Sequence, residues 1–248
     1  MDCERQYYVN INYRPYLFYV VFGADKSKLR ISKTKYNVES IPDGLDIMVI
    51  TRSEHQKYMD ALISGELADR LKSDDPILYE QSILSENWAI INGEIKNDKT
   101  LDYLRDTVGI VQAFIDTGAV GILDLQTKSL ISPEDFGNVF KKPADPYAHV
   151  KLYKSASENG AARFLTMGCL KLGRPDISIK NIDADSLTDA AEIISQLIYF
   201  GSRGAFFTDE IKLTVKSGKS YIVKPNYTES HDGEFDRGYY DIYWKNLK

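Results

Sequence analysis

Histidine and cysteine are both scarce in this chain, with three of one and two of the other in 248 residues. His55, His149 and His231 lie far apart, and Cys3 and Cys169 stand in no paired spacing. No local zinc motif can be drawn, and neither a metal nor another cofactor is expected. Cys3 falls at a terminus read as mobile and Cys169 inside an expected strand. A disulfide framework is therefore not expected, and both thiols are read as free. Long apolar runs are missing too: the longest, Tyr16 to Phe22, falls short of the roughly 20 residues that cross a bilayer. The opening Met1-Asp2-Cys3-Glu4-Arg5 has charges of both signs and no apolar signal core, which places the protein in the cytoplasm. Nor is there an excess of positive charge. Lys and Arg number 31 against 36 Asp and Glu, a net charge of -5, whereas phosphate backbones call for concentrated Lys and Arg. A dedicated nucleic-acid binder is not expected.

Familiar catalytic signatures are absent as well. No Gly-x-Gly-x-x-Gly follows a strand, and no Gly-x-Ser-x-Gly elbow is present. Lys216-Ser217-Gly218-Lys219-Ser220 resembles a phosphate loop only in part, because Leu213 stands where the first glycine would wrap backbone amides around phosphate. A strand rather than a helix follows it, so it reads as a hairpin tip.

What is present is an ordinary globular composition, 43% hydrophobic and 27% charged, in a length that suits one domain over 1–248 with a subdivision near 73–87. Tyr7 to Arg14 alternates and reads as a half-buried strand, and Tyr16 to Phe22, apolar on both faces, as a central one. After a long polar connection, Leu45 to Ile50 is the next strand. Ser53 is placed as the cap of a helix through Tyr58, Met59, Leu62 and Ile63, and 73–86 is read as irregular. Trp88 to Ile95 is a strand. Thr100 to Thr117 is a helix with an apolar stripe of Leu101, Leu104, Val108, Val111 and Ile115, stopped by Gly118. Ala119 to Leu125 is a strand, and Ser132-Pro133-Glu134-Asp135 opens a short helix. Strands follow at Tyr147 to Tyr153 and Ala162 to Leu170 around the turn Ser157-Glu158-Asn159-Gly160, and at Asp176 to Ile182. Ser186 and Asp189 form an expected capping box for the next helix. A hairpin at 211–223 and a last strand, Tyr239 to Trp244, complete the chain. Helices interspersed with hairpins predict an α+β fold, with helices packed against a mixed or antiparallel sheet. The units at 88–125 and 176–215 suggest two pseudo-equivalent β-α-β-containing halves without a sequence repeat.

Four residues are candidates for chemistry. His149, on an expected strand face with Lys151 and Tyr153, could bind an anion or exchange protons, though a solvated sheet face explains the same pattern. Asp124 ends a strand, where it could act as a functional carboxylate or satisfy the amides of the turn Gln126-Thr127-Lys128-Ser129. Arg174 and Asp176 flank Pro175 at a fixed bend that presents charge or pins a corner. Lysines at 26–35 and 212–224 fit wet faces and guarded edges as well as phosphate contacts. Tyr240, Tyr243 and Trp244 crowd an end that also carries Asp232, Glu234, Asp236 and Asp241, a composition suited to a partner interface, although strands favour aromatics regardless.

Two segments carry a resemblance. Gly118-Ala119-Val120-Gly121-Ile122-Leu123-Asp124-Leu125-Gln126-Thr127, leading to Ser132-Pro133-Glu134, is one; Thr166-x-Gly168-x-x-Lys171-x-Gly173-Arg174-Pro175-Asp176 is the other. With the helix Leu101-Asp102-Tyr103-Leu104-Arg105-Asp106, they resemble a family of uncharacterised bacterial proteins over residues 88–200. The resemblance implies a bacterial cytoplasmic α+β domain and transfers no catalytic residue. The expectation is a binding or interaction protein that neutralises or regulates a protein partner. The alternative is an unfamiliar hydrolase or transferase acting on an anionic small molecule, with His149, Asp124, Arg174 and Asp176 in one cleft. Oligomeric state is not legible in the sequence.

Overall fold

Tyr16–Phe22 forms the strand that organises the first part of the chain, β1. Apolar on both faces, it is central: in the computed structural model, which describes residues 3–156, 161–229 and 238–247, β3 (Asn87–Glu94) and β4 (Gly121–Asp124) pair antiparallel on its two sides. β2 (Asp46–Thr51) and β5 (Ser129–Ile131) complete a sheet of order β2-β3-β1-β4-β5. By its internal contacts the chain divides into two compact units, Met1–Cys3 with Pro15–Asp145 and Glu4–Arg14 with Pro146–Lys248. Residues 73–87 lie inside the first.

Both faces of the first unit's sheet are covered. Val20, Phe22, Ile50, Trp88, Ile90 and Leu123 meet Met59 and Leu71 from α2 (Arg52–Leu62) and α3 (Gly65–Asp74), with Ile63 between the two helices. Tyr79 and Ile83 of α4 (Pro76–Ile83) pack on the same cluster. Successive β1 side chains point to opposite faces, so Tyr19 turns the other way, where its ring meets Phe136 edge-on at 6.2 Å. On that side α5 (Asp102–Ile115) packs on β1, and α6 (Pro133–Lys141) packs on α5 and β4. The stripe expected of α5 is buried, Leu104, Val108 and Val111 completely. Each fully buried side chain of this kind contributes about 1.5–3 kcal/mol. Gly109 lets α1 (Lys33–Tyr36) approach: a Cβ there would stand 2.2 Å from the Tyr36 carbonyl oxygen. Ser132 caps α6 as expected, its hydroxyl accepting from the Asp135 amide at 3.1 Å.

In the second unit, β6 (Lys151–Ala156), β7 (Ala162–Met167), β8 (Asp176–Ile182), β9 (Ile211–Thr214), β10 (Ser220–Thr228) and β11 (Tyr239–Leu247) form a sheet of order β6-β7-β8-β11-β10-β9. Only the β8–β11 pair among these is parallel. α7 (Leu187–Ser202) buries Ile193, Ile194 and Leu197 and packs on β7 and β8. The protein is therefore α+β, with one antiparallel and one mixed sheet. The two sheets do not share a strand order. One strand separates β3 from β4, whereas two separate β8 from β9, so the pseudo-equivalence of the halves has no counterpart in topology.

Several local expectations are corrected. Tyr7 to Arg14 forms no strand: its amides turn to a helix end, Tyr7 donating to the Arg203 carbonyl at 2.8 Å and Val9 to that of Gly204 at 3.2 Å. Cys3 is buried, and its carbonyl accepts from the Leu101 amide at 2.8 Å. The residue preceding α2 is Thr51, and Ser53 lies in the first turn. The stretch read as irregular contains α4, where the Asp75 carboxylate accepts from the Leu78 amide at 2.9 Å and Pro76 opens the helix. Cys169 begins a 3-10 turn beyond β7. The expected capping box of α7 does not form. Asp189 instead accepts from Tyr221, Lys219 and Ser217, tying α7 to the β9–β10 hairpin. The turn at 157–160 and the residues His231, Asp232, Glu234 and Asp236 lie outside the described residues.

Candidate functional site

The four chemical candidates divide between the units: Asp124 belongs to the first, and His149, Arg174 and Asp176 to the second. Asp124 is buried at the end of β4, where one carboxylate oxygen accepts from the amides of Gln126 at 3.2 Å and Thr127 at 3.3 Å. It shapes the turn. His149 precedes β6, closing a 3-10 turn with its amide on the Pro146 carbonyl at 3.1 Å. It is 1% exposed, so the polar, wet strand face expected for it is not where it lies.

Arg174 and Asp176 bracket a polar knot in the second unit. β7 ends at Met167, the chain makes a 3-10 turn, Cys169–Leu172, and returns as β8. Asp176 bridges this turn, accepting from the Thr166 hydroxyl at 2.9 Å, the Cys169 amide at 3.0 Å and the Gly168 amide at 3.4 Å. Thr166 in turn accepts from the Ile177 amide at 2.8 Å. Burial pushes the Asp176 carboxyl up to about 6 despite these donors. Burial, with the Asp176 charge nearby, also pushes the Cys169 thiol well above its ordinary value. A thiol held in that form is a poor nucleophile.

Each guanidinium nitrogen of Arg174 donates to a backbone carbonyl: Ala205 at 2.7 Å, Gly173 and Gly204. Arg5, which the sequence did not single out, does the same from the other end of the chain. Its guanidinium donates to Leu172 at 2.8 Å, Ser202 at 3.1 Å and Gly201 at 3.2 Å. Both cations thus meet the carboxyl end of α7, where carbonyls lack intrahelical partners and carry partial negative charge. The cavity beside them, lined by Cys169, Arg174, Pro175, Leu197, Gly201 and Tyr240 among others, measures about 10 Å³. That is the space of about one water molecule.

The aromatic candidates also separate. Tyr240 is 2% exposed and accepts from the Phe207 amide at 3.1 Å, so it is a core residue and does not present a surface. Trp244 stacks on Tyr221 at 5.0 Å, while Tyr243, on the opposite face of β11, is 61% exposed. Among the described residues no group of three or more His, Cys, Asp and Glu is arranged to hold a metal ion. No helix there is long and apolar enough to cross a membrane.

One apolar groove of the first unit had no sequence expectation. A groove of about 490 Å³ runs between α2 and α4, with Met59, Ile63 and Trp88 on its floor and Gln56, Tyr79, Ile83 and Leu84 along its walls. Arg52 closes one side. Its guanidinium lies 5.5 Å from the Trp88 ring and bonds Asp60 at 2.8 Å and the Ile83 carbonyl at 2.6 Å. Leu84, at the groove, is 69% exposed, and Ile77, at the start of α4, is 72% exposed. With exposed Glu80 they fall at i, i+3 and i+7, along one helical face.

Compared with family models, with curated proteins and with solved structures, the chain matches none.

Proposed function

We propose that this protein is a protein-binding module that neutralises or regulates a partner, and that the α2–α4 groove of the first unit receives that partner. One observation carries the reading: a groove lined by Tyr79, Ile83 and Leu84 opens at Leu84, which is 69% exposed, and α4 also holds Ile77 out to solvent. Large aliphatic side chains at about 70% exposure cost solvation free energy unless something covers them, and contiguous exposed apolar patches mark interaction surfaces. At the Tyr-rich end of the second unit Tyr243 is an exposed ring, and Tyr240 serves the core.

The alternative reading, an enzyme acting on a small anion, has less support. An anion site needs cationic donors free to meet it, and those of Arg174 are spent on carbonyls around a water-sized cavity. Selection of a displayed peptide library on the intact protein tests the binding reading, with Leu84→Asp as counter-target. Leu84 is exposed, so the variant keeps its fold, and the sequences enriched on the parent are expected to be lost on the variant. Equal enrichment on both would overturn the groove as the docking site.

A further inference from the structure

The charge of the segment that builds the groove points to the chemistry of its occupant. Between Arg52 and Glu86 the chain carries eight carboxylates, Glu54, Asp60, Glu66, Asp69, Asp74, Asp75, Glu80 and Glu86, against four basic residues, Arg52, Lys57, Arg70 and Lys72. That leaves -4 in this segment, out of -5 for the whole chain. All eight carboxylates are exposed. Two of the four bases are already committed, Arg52 to Asp60 at 2.8 Å and Arg70 to Asp74 at 4.0 Å. An apolar groove within such a field attracts a cationic segment and repels phosphate backbones and anionic lipid surfaces.

Topology selects the conformation of that segment. An extended peptide gains affinity chiefly by adding to a free sheet edge. The strand that lines this groove, β3, is paired on both sides, with β2 and β1, and β2, the outer strand of the sheet, supplies no residue to the lining. Binding here must come from side chains alone. The exposed Ile77–Glu80–Leu84 row, about 10 Å long at helical rise, matches the i, i+3 and i+7 knobs of a facing helix. Resting on the reading of the groove as a docking site, we infer that the partner presents a basic amphipathic helix, its apolar stripe against Tyr79, Ile83 and Leu84 and its Lys or Arg residues toward the exposed carboxylates of α2 and α4.

Three synthetic helical peptides with one apolar stripe test this, their remaining positions filled with Lys, Gln or Glu and their binding to the full chain followed by fluorescence anisotropy. The Lys peptide is expected to bind at least about tenfold more tightly than the Gln peptide and to weaken strongly between about 50 mM and about 300 mM salt. The Glu peptide should not bind. Glu80→Lys should weaken the Lys peptide, and Leu84→Asp should abolish its binding although it adds a negative charge. Binding of the Lys peptide that survives or rises in Leu84→Asp would mean nonspecific charge attraction, and would overturn the inference. No binding of the Lys peptide would overturn it as well. Equal binding of the Gln and Lys peptides, lost in Leu84→Asp, would overturn the basic partner while leaving the groove as the docking site.

Discussion

Arg5 and Arg174, from opposite parts of the sequence, hold the same helix end, one bonding the carbonyls of Gly201 and Ser202 and the other those of Gly204 and Ala205. A buried guanidinium is tolerated only where its fork of donors is matched, and a lysine ammonium cannot reproduce that fork. Arg174→Lys and Arg5→Lys are each expected to lower stability by about 3 kcal/mol in denaturant unfolding. Changes within about 0.5 kcal/mol would show that these bonds do not hold the unit together.

Gly204 lies at φ +95°, and a Cβ there would stand 2.5 Å from Cα and 2.7 Å from N of Tyr8. Gly204→Ala therefore strains the turn and pushes away the amino-terminal segment that Arg5 anchors. Limited proteolysis should cleave between Tyr7 and Arg14 faster in this variant than in the parent. Unchanged cleavage would contradict the close packing.

Asp176 supplies a pH dependence whose sign is fixed. Its folded value, about 6, lies above the unfolded value of 3.8, so the folded state holds this proton more tightly. The stability from this group is complete below the unfolded value and is lost as pH rises through about 6, by on the order of 3 kcal/mol in total. Asp176→Asn loses part of the hydrogen bonding at every pH, but between about pH 4 and pH 6 its stability should fall less with rising pH than that of the parent. Parallel stability curves for the two proteins would refute the assignment.

Gly109 reverses a general preference. In a helix interior Ala is better than Gly by about 1 kcal/mol, yet here the added methyl would meet the Tyr36 carbonyl. Gly109→Ala should destabilise the protein. Leu104→Ala and Val108→Ala, both in the fully buried stripe of the same helix, should each cost about 2 to 4 kcal/mol by thermal unfolding.

The elements legible in sequence were those whose own pattern decides them: the doubly apolar β1, the striped α5, the Ser132-Pro133 start of α6 and the hairpin at Gly218. Asp75-Pro76 carries the same kind of start signal as Ser132-Pro133, but no one-sided stripe follows it, because Ile77, Leu78, Tyr79 and Ile83 spread around the helix. Tyr7 to Tyr13 alternates as a strand should and finds its hydrogen bonds at a helix end, which alternation cannot reveal. In β11 the register already set Tyr240 with Ile242, opposite Tyr243, so its place in the core could have been read. The Asp176 knot depends on a turn that brings Thr166 and two amides together, and the groove on two helices, α2 and α4, that meet over one sheet face. Neither follows from local pattern, although the excess of carboxylates at 52–86 was there to be counted.

The binding account is tested most directly by hydrogen exchange on the intact protein, alone and with the peptide most enriched in the library selection. The account predicts slowed exchange confined to α2, α4 and the segment joining α4 to β3, and no such slowing in Leu84→Asp. Protection located instead in the second unit, with 52–84 unchanged, would contradict it.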